Sequence, residues 1–238
     1  VPDGGAPGDA DAVVVALKAR TIGAADADLL ALGAACRGMP LVTGGSGIAM
    51  GLPGAFGVLA SPAPALPRLE GSAAVISGSC SAQTNAQVAH WSASKAAFRV
   101  DPLRLAAGED VAGQALEWAA LRLASGPVLI YATAPPQEVR AAQARVGAAA
   151  AGDLVERALA QVAQGLVARG VRKLVVAGGE TSGAVVKALG VRLLAIGPQI
   201  DPGVPWTFSS DEPRLALALK SGNFGAIDLF TRALDLLP

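Results

Sequence analysis

A chain of 238 residues, 52% of them hydrophobic, holds enough material for a sizeable core in one large domain or two unequal ones. Its 19 basic and 19 acidic side chains cancel, and no basic tract or aromatic–basic interleaving occurs, which argues against nucleic acid as a partner. One histidine and two cysteines (Cys36 and Cys80) leave no basis for a histidine-rich metal site or a disulfide framework. No apolar run is long enough for a membrane span and no secretory leader is evident, so no membrane partner is expected; the sparse cysteines suit the cytoplasm.

Residues 1–10, rich in Gly, Pro, Asp and Ala, read as a loop, and Val13-Val14-Val15-Ala16-Leu17 as a short buried strand. Leu29, Leu30, Leu32 and Ala35 recur at helical spacing over residues 26–36, and residues 41–43 suggest another strand. The string Gly45-Ser46-Gly47-Ile48-Ala49-Met50-Gly51 that follows fits a loose dinucleotide fingerprint, although no acidic residue stands about 20 positions on. Prolines at 53, 62, 64 and 67 make residues 52–70 a linker that continues neither a helix nor a central strand, which places the domain boundary there: 1–70, then 71–238.

Beyond the linker, strand and helix patterns alternate. Strands are expected at 73–76, 128–132, 173–177 and 191–196, and helices at 82–92, about 108–125, about 150–169 and 181–189. A hairpin pair over 205–208 and 214–219 and a helix over 226–237 close the chain. This is the pattern of an α/β fold with a mixed, mostly parallel sheet and helices on both faces, joined to a truncated second α/β lobe before the linker.

Three strand-to-helix junctions carry the chemistry. Residues 175–183, Val-Val-Ala-Gly-Gly-Glu-Thr-Ser-Gly, run from a buried strand through two glycines into a helix start. Free N–H groups and the positive end of the helix dipole converge there and suit a phosphate. Without a Cβ, Gly178 and Gly179 let an anion approach the backbone, and Thr181 and Ser182 add hydroxyl donors. The same residues also describe an ordinary turn with a Thr N-cap. Two further junctions, Ser77-Gly78-Ser79-Cys80-Ser81 and Lys220-Ser221-Gly222-Asn223-Phe224-Gly225, repeat the pattern. Such loops at the carboxyl ends of neighbouring strands form one ligand crevice.

Taken together, these motifs resemble the four-carbon acid sugar kinases (3-oxo-tetronate, threonate and erythronate kinases). The resemblance runs from about residue 41 to the end. It rests on Ser77 to Ser81 followed by Thr84 and Gln87, on Gly178 to Gly183, on Pro202-Gly203-Val204-Pro205, and on Lys220 to Gly225. It implies an ATP-dependent kinase with an amino-terminal lobe for the sugar acid and a carboxyl-terminal lobe for ATP and Mg2+. It also implies nucleotide contacts at Ser77, Ser79, Gly178, Gly179, Glu180, Thr181, Ser182, Gly183, Gly222 and Asn223. A homodimer is the default assembly it suggests. Residues 1–22 and 24–50 resemble two separate pieces of the substrate lobe that meet near Ile22 and Gly23. Within them Lys18, Arg20, Gly45 and Ser46 are the candidates to face the sugar acid.

The family's acidic opening segment, Asp-Asp followed by a Thr-Gly turn, has no counterpart in this sequence. No catalytic base is therefore assigned, and the chain alone is expected to phosphorylate poorly or not at all. Lys18 and Arg20, two apart on an extended stretch, form a cationic clamp or simply a solvated strand end. Glu180 positions Mg2+ or nucleotide hydroxyls, or favours its helix start as an acid in the first turn. Lys220 balances phosphate charge or leaves its strand for solvent, and Phe224 braces its loop. Two other functions stay open: an NAD(P)-dependent oxidoreductase using residues 45–51, and a non-catalytic binding or assembly module.

Overall fold

The computed structural model describes residues 26–44, 46–58 and 67–237, and the chain divides into two compact units, Val1–Pro62 and Ala63–Pro238. In the first unit, helix α1 (Asp26–Ala35) packs with a 3-10 turn over Ser46–Met50 and a short helix, α2 (Leu52–Ala55). Cys36 is buried at the end of α1, and Arg37 Nε donates to Ala55 O at 2.7 Å.

Two expectations for this unit do not hold. Residues 41–43 form no strand, because two apolar residues and a threonine without a neighbouring ladder do not decide a conformation. The segment from residue 52 does hold a helix: Pro53 lies in its first turn, where the missing N–H costs nothing. The strand expected at 13–17 lies outside the described residues.

The second unit is built on a seven-stranded sheet, β1 (Ser72–Ser77), β2 (Ala97–Arg99), β3 (Val128–Tyr131), β4 (Val171–Ala177), β5 (Leu194–Asp201), β6 (Val204–Ser209) and β7 (Ala216–Lys220), in the order β2-β3-β1-β4-β7-β6-β5. The first five strands of that order are parallel; β6 runs antiparallel to both its neighbours, β7 and the edge strand β5. Its helices are α3 (Ala82–Ser92), α4 (Pro102–Ala106), α5 (Val111–Ala120), α6 (Pro136–Val146), α7 (Ala148–Ala168), α8 (Gly179–Ala188) and α9 (Leu229–Asp235).

Alternate residues of the central strands face opposite cores, as the pleat requires. Ala74, Ile76, Ile130, Leu174 and Val176 are buried under α5, α7 and α8. Val75, Leu129, Val175 and Ala218 are buried under α3 and α9, with Trp91, Trp206 and Phe230. The mixed, mostly parallel sheet covered on both faces is the fold the alternation called for. None of the described helices is long and apolar enough to cross a membrane.

The sequence reading missed β2, α4 and α6 and set the start of β5 too early. Strand β2 has three residues and α4 five, too few for a period to show. Helix α4 is instead set by its start, where Asp101 accepts from Leu103 N at 2.8 Å and Pro102 opens the first turn. Strand β5 continues through Gly197-Pro198 because it is an edge strand. Its ladder to β6 slips at that point, so a proline without an N–H is tolerated.

Candidate functional site

The carboxyl ends of β1, β4 and β7 lie on one line. Ser77 is in register with Ala177, and Ala177 with Lys220. With neighbouring strands about 4.8 Å apart, the three loops leave the sheet within about 10 Å of one another. Their helices then diverge: α3 and α9 cover one face, whereas α8, between them in the sheet order, covers the other. Such a switch opens a crevice above the strand ends.

A cavity of about 660 Å3 occupies this crevice. Its floor is Gly78 to Cys80 and Gly178 to Thr181, and its apolar wall includes Val139, Ala142, Ala151 and Val155 from α6 and α7. Arg99 and Glu138, which form an ion pair, line it as well, together with Glu156 and Glu180. The Glu138 partner holds the Arg99 guanidinium above its ordinary pKa despite partial burial. Burial, and then the nearby charges of Glu180 and Asp153, raise the pKa of Glu156.

Helix α8 opens directly onto the cavity. Gly178 precedes it at φ 126, a conformation that favours glycine, and no side chain caps the helix. Its first helical bond is Ser182 N–H to Gly178 O at 2.8 Å, so the N–H groups of Gly179, Glu180 and Thr181 are the donors a helix start leaves open. Ser182 Oγ is buried and lacks a hydrogen-bond partner among the described residues. An unmatched buried hydroxyl beside open amides fits a ligand rich in acceptor oxygens. Gly183 lies one residue further along α8 and is exposed. A Cβ on Gly179 would meet nothing within 4 Å, so that position is open.

The first loop interlocks with the other two. A Cβ on Gly78 would stand 2.2 Å from Thr181 Oγ1, and one on Gly222 would stand 2.6 Å from Ser79 Oγ. Ser79, Thr181 and Gly222, distant in sequence, thus meet in one place. Asn85 fastens the first loop from above, its Nδ2 donating to Cys80 O, Ser81 O and Ala134 O at 3.0–3.2 Å. Gln83 and Gln87 grip the third loop: Gln83 Nε2 donates to Gly225 O at 2.6 Å, and Gln87 Nε2 to Phe224, Gly225 and Ala226 carbonyls. Phe224 packs where a Cβ on Gly203 would lie, so it braces its loop against the β5–β6 turn.

Four expected contributions look different in place. Ser77 is fully buried and its Oγ shares a 2.6 Å hydrogen bond with Thr133 Oγ1, so it supports the loop from below and does not line the cavity. The first loop also offers fewer free amides than its glycine suggests, since the N–H groups of Gly78 and Ser79 both donate to Ala177 O. Lys220 neither leaves its strand for solvent nor lines the cavity: it is 1% exposed, because the chain turns beneath α3 at that point. Gly222 and the exposed Asn223 do not line the cavity either; they stand beside it, with Gly222 against Ser79.

Lys18, Arg20 and Gly45 lie outside the described residues, and Ser46 begins the 3-10 turn of the first unit. That turn is not the strand–turn–helix a dinucleotide fingerprint needs. Sequence reasoning gave no role to Gln83 and Asn85, although Gln83, Thr84 and Gln87 fall at the one-face spacing of a helix that clamps something. Among the described residues no group of three His, Cys, Asp or Glu side chains is arranged to hold a metal ion.

Open amides at a helix start, at the switch point of a doubly covered sheet, are the arrangement expected of a nucleotide-binding α/β domain, and comparison with known proteins agrees. The family model of a nucleotide-binding C-terminal domain matches residues 74–230, and the chain belongs to that family. It is 59% identical over 217 residues to a 3-oxo-tetronate kinase of Burkholderia multivorans, an alignment covering 89% of this chain and 50% of that protein. A 3-oxo-tetronate kinase of Cupriavidus necator is 57% identical over 218 residues, with the same coverage. A crystal structure of a Haemophilus influenzae protein superposes with a TM-score of 0.73 at 36% identity, covering 90% of this chain and 52% of the other. The chain thus spans about half the length of the curated relatives it matches, and the resemblance to four-carbon acid sugar kinases stands.

Proposed function

We propose that this chain is the nucleotide-binding part, with a portion of the substrate lobe, of an ATP-dependent kinase acting on a four-carbon acid sugar, with 3-oxo-tetronate as the first candidate substrate. Residues 71–238 form the nucleotide domain in this reading and residues 1–70 belong to the substrate lobe and linker. The observation that carries it is the meeting of Ser79, Thr181 and Gly222 around the uncapped start of α8. The names of the Burkholderia and Cupriavidus relatives support the substrate class.

Phosphoryl transfer through a loose transition state asks for positioning and charge stabilisation more than for covalent chemistry. The N–H groups of Gly179, Glu180 and Thr181 and the hydroxyls of Ser79 and Ser182 hold the phosphate chain, fixed before the reaction because their loops are interlocked. The alanine-rich wall of α6 and α7 takes the apolar body of the nucleoside. Mg2+ bound with the nucleotide would supply positive charge to the phosphates. Of the carboxylates that line the cavity, Glu138 is paired with Arg99, and Glu180, in the first turn of α8, with Glu156 would hold the ion's water shell. The general base and most of the sugar-acid contacts belong to the substrate lobe, where Lys18 and Arg20 supply positive charge.

Calorimetric titration with ATP–Mg2+, adenosine and NADPH tests the reading. Binding of ATP–Mg2+ well above that of NADPH is the expected result; NADPH binding without ATP binding replaces it with an oxidoreductase. Joining the chain to the complete substrate lobe of the Burkholderia relative separates kinase from binding module, since only the kinase then turns over sugar acid.

A further inference from the structure

Lys220 is among the largest fully buried side chains of the second unit, and its hydrogen-bond partners are all neutral. Its Nζ donates to Thr84 Oγ1 at 2.8 Å, to Gln87 Oε1 at 2.7 Å and to Gly222 O at 3.0 Å. A buried ammonium without a carboxylate is costly, and an apolar side chain of similar size serves a core better. Three acceptors for three ammonium hydrogens is nevertheless a complete match. Two of them come from α3 and the third from the loop after β7, so the lysine ties a helix to a loop.

The third acceptor tells what is being held. Gly222 O also accepts from Ser81 Oγ at 2.5 Å and from Thr84 Oγ1 at 2.8 Å, so three donors converge on one carbonyl. In a planar trans peptide the next N–H points opposite to the carbonyl. Turning Gly222 O inward to α3 therefore turns the Asn223 N–H away from it. Among the described residues that N–H has no protein acceptor. The same anchoring presses Gly222 against Ser79.

We infer that Lys220 is a positioning residue of the nucleotide site: it fixes the Gly222–Asn223 peptide so that the Asn223 N–H and the Ser79 loop face the phosphate chain, without touching the nucleotide itself. This rests on the assignment of these loops to ATP phosphates. It explains why a lysine stands at a position where packing alone prefers an apolar residue.

The test is calorimetric titration of Lys220→Met with ATP–Mg2+ and with adenosine. Loss of one aligned phosphate donor weakens ATP by at least about tenfold, while adenosine, lacking phosphates, binds as in the unsubstituted chain. If the lysine merely stabilises the fold, its replacement lowers the melting temperature but leaves the ATP-to-adenosine ratio of the folded protein alone, and an unchanged ratio overturns the inference. Thr84→Val gives a second reading should Lys220→Met fail to fold. It removes one acceptor of the lysine and one donor to Gly222 O, and the same selective loss for ATP, several-fold in size, is expected; ATP and adenosine falling together counts against positioning. An unsubstituted chain that binds adenosine but not ATP defeats the phosphate assignment and this inference together, whereas normal ATP binding with indifferent variants defeats the inference alone.

Discussion

Gly179→Asp separates phosphate binding from folding because the two respond in opposite directions. A Cβ at residue 179 meets nothing within 4 Å, and the residue is the first of α8, so the variant fits without strain. A carboxylate in the first turn of a helix stabilises it by about 0.3–1 kcal/mol. The same carboxylate occupies the ground on which the phosphates lie. A unit charge about 4 Å from one phosphate charge costs about 4 kcal/mol at an effective dielectric of about 20. Unscreened, that corresponds to about a thousandfold in affinity; magnesium and solvent reduce it, and we expect at least tenfold. The assay pairs thermal unfolding with calorimetric titration of ATP–Mg2+. A variant that melts at the same or a higher temperature and has lost ATP supports the assignment. Equal ATP affinity in a stable variant refutes it, because the phosphates then lie elsewhere.

Three further outcomes follow from the packing. Gly78→Ala places a methyl 2.2 Å from Thr181 Oγ1 and 3.1 Å from Leu159 Cδ1, and overpacking of this kind costs about 1–3 kcal/mol. Adding Thr181→Ala should restore much of that stability in a denaturant titration, and failure to do so means the two loops do not touch. Ser77→Ala removes the buried bond to Thr133 and should cost about 1 kcal/mol with ATP affinity unchanged, since Ser77 lies below the cavity. Burial lowers the Lys220 pKa from 10.5 to about 8. The unfolded chain therefore binds more protons than the native one between about pH 8 and 10.5, and the stability of the unsubstituted chain relative to Lys220→Met should rise across that window, by up to about 3 kcal/mol. Urea titrations at pH 7.5 and 10 check the sign, and a falling difference contradicts it.

The strand ends were legible because glycine and hydroxyl residues interrupt apolar runs only where a chain turns tightly, and that is a local property. Residues 175–183 and 219–225 declare their junctions for this reason. Strand β2 and helix α4 did not, since they are too short for a period to show, and α6 did not because its sequence is polar and buries only Ala142. Residues 41–43 erred the other way: Leu-Val-Thr reads as a strand, but a strand exists only with a ladder beside it.

The sequence by itself determined the alternation of strands and helices, the three loops and the family they resemble, all of which rest on short-range patterns. Only the tertiary structure decided which loops meet, that Ser77 faces downward while α8 opens to the cavity, and that Lys220 is buried under α3. Those depend on strand order and register. Ser77, Ala177 and Lys220 stand side by side across parallel strands, although about a hundred and about forty residues separate them along the chain, and no local pattern carries pairing at that range.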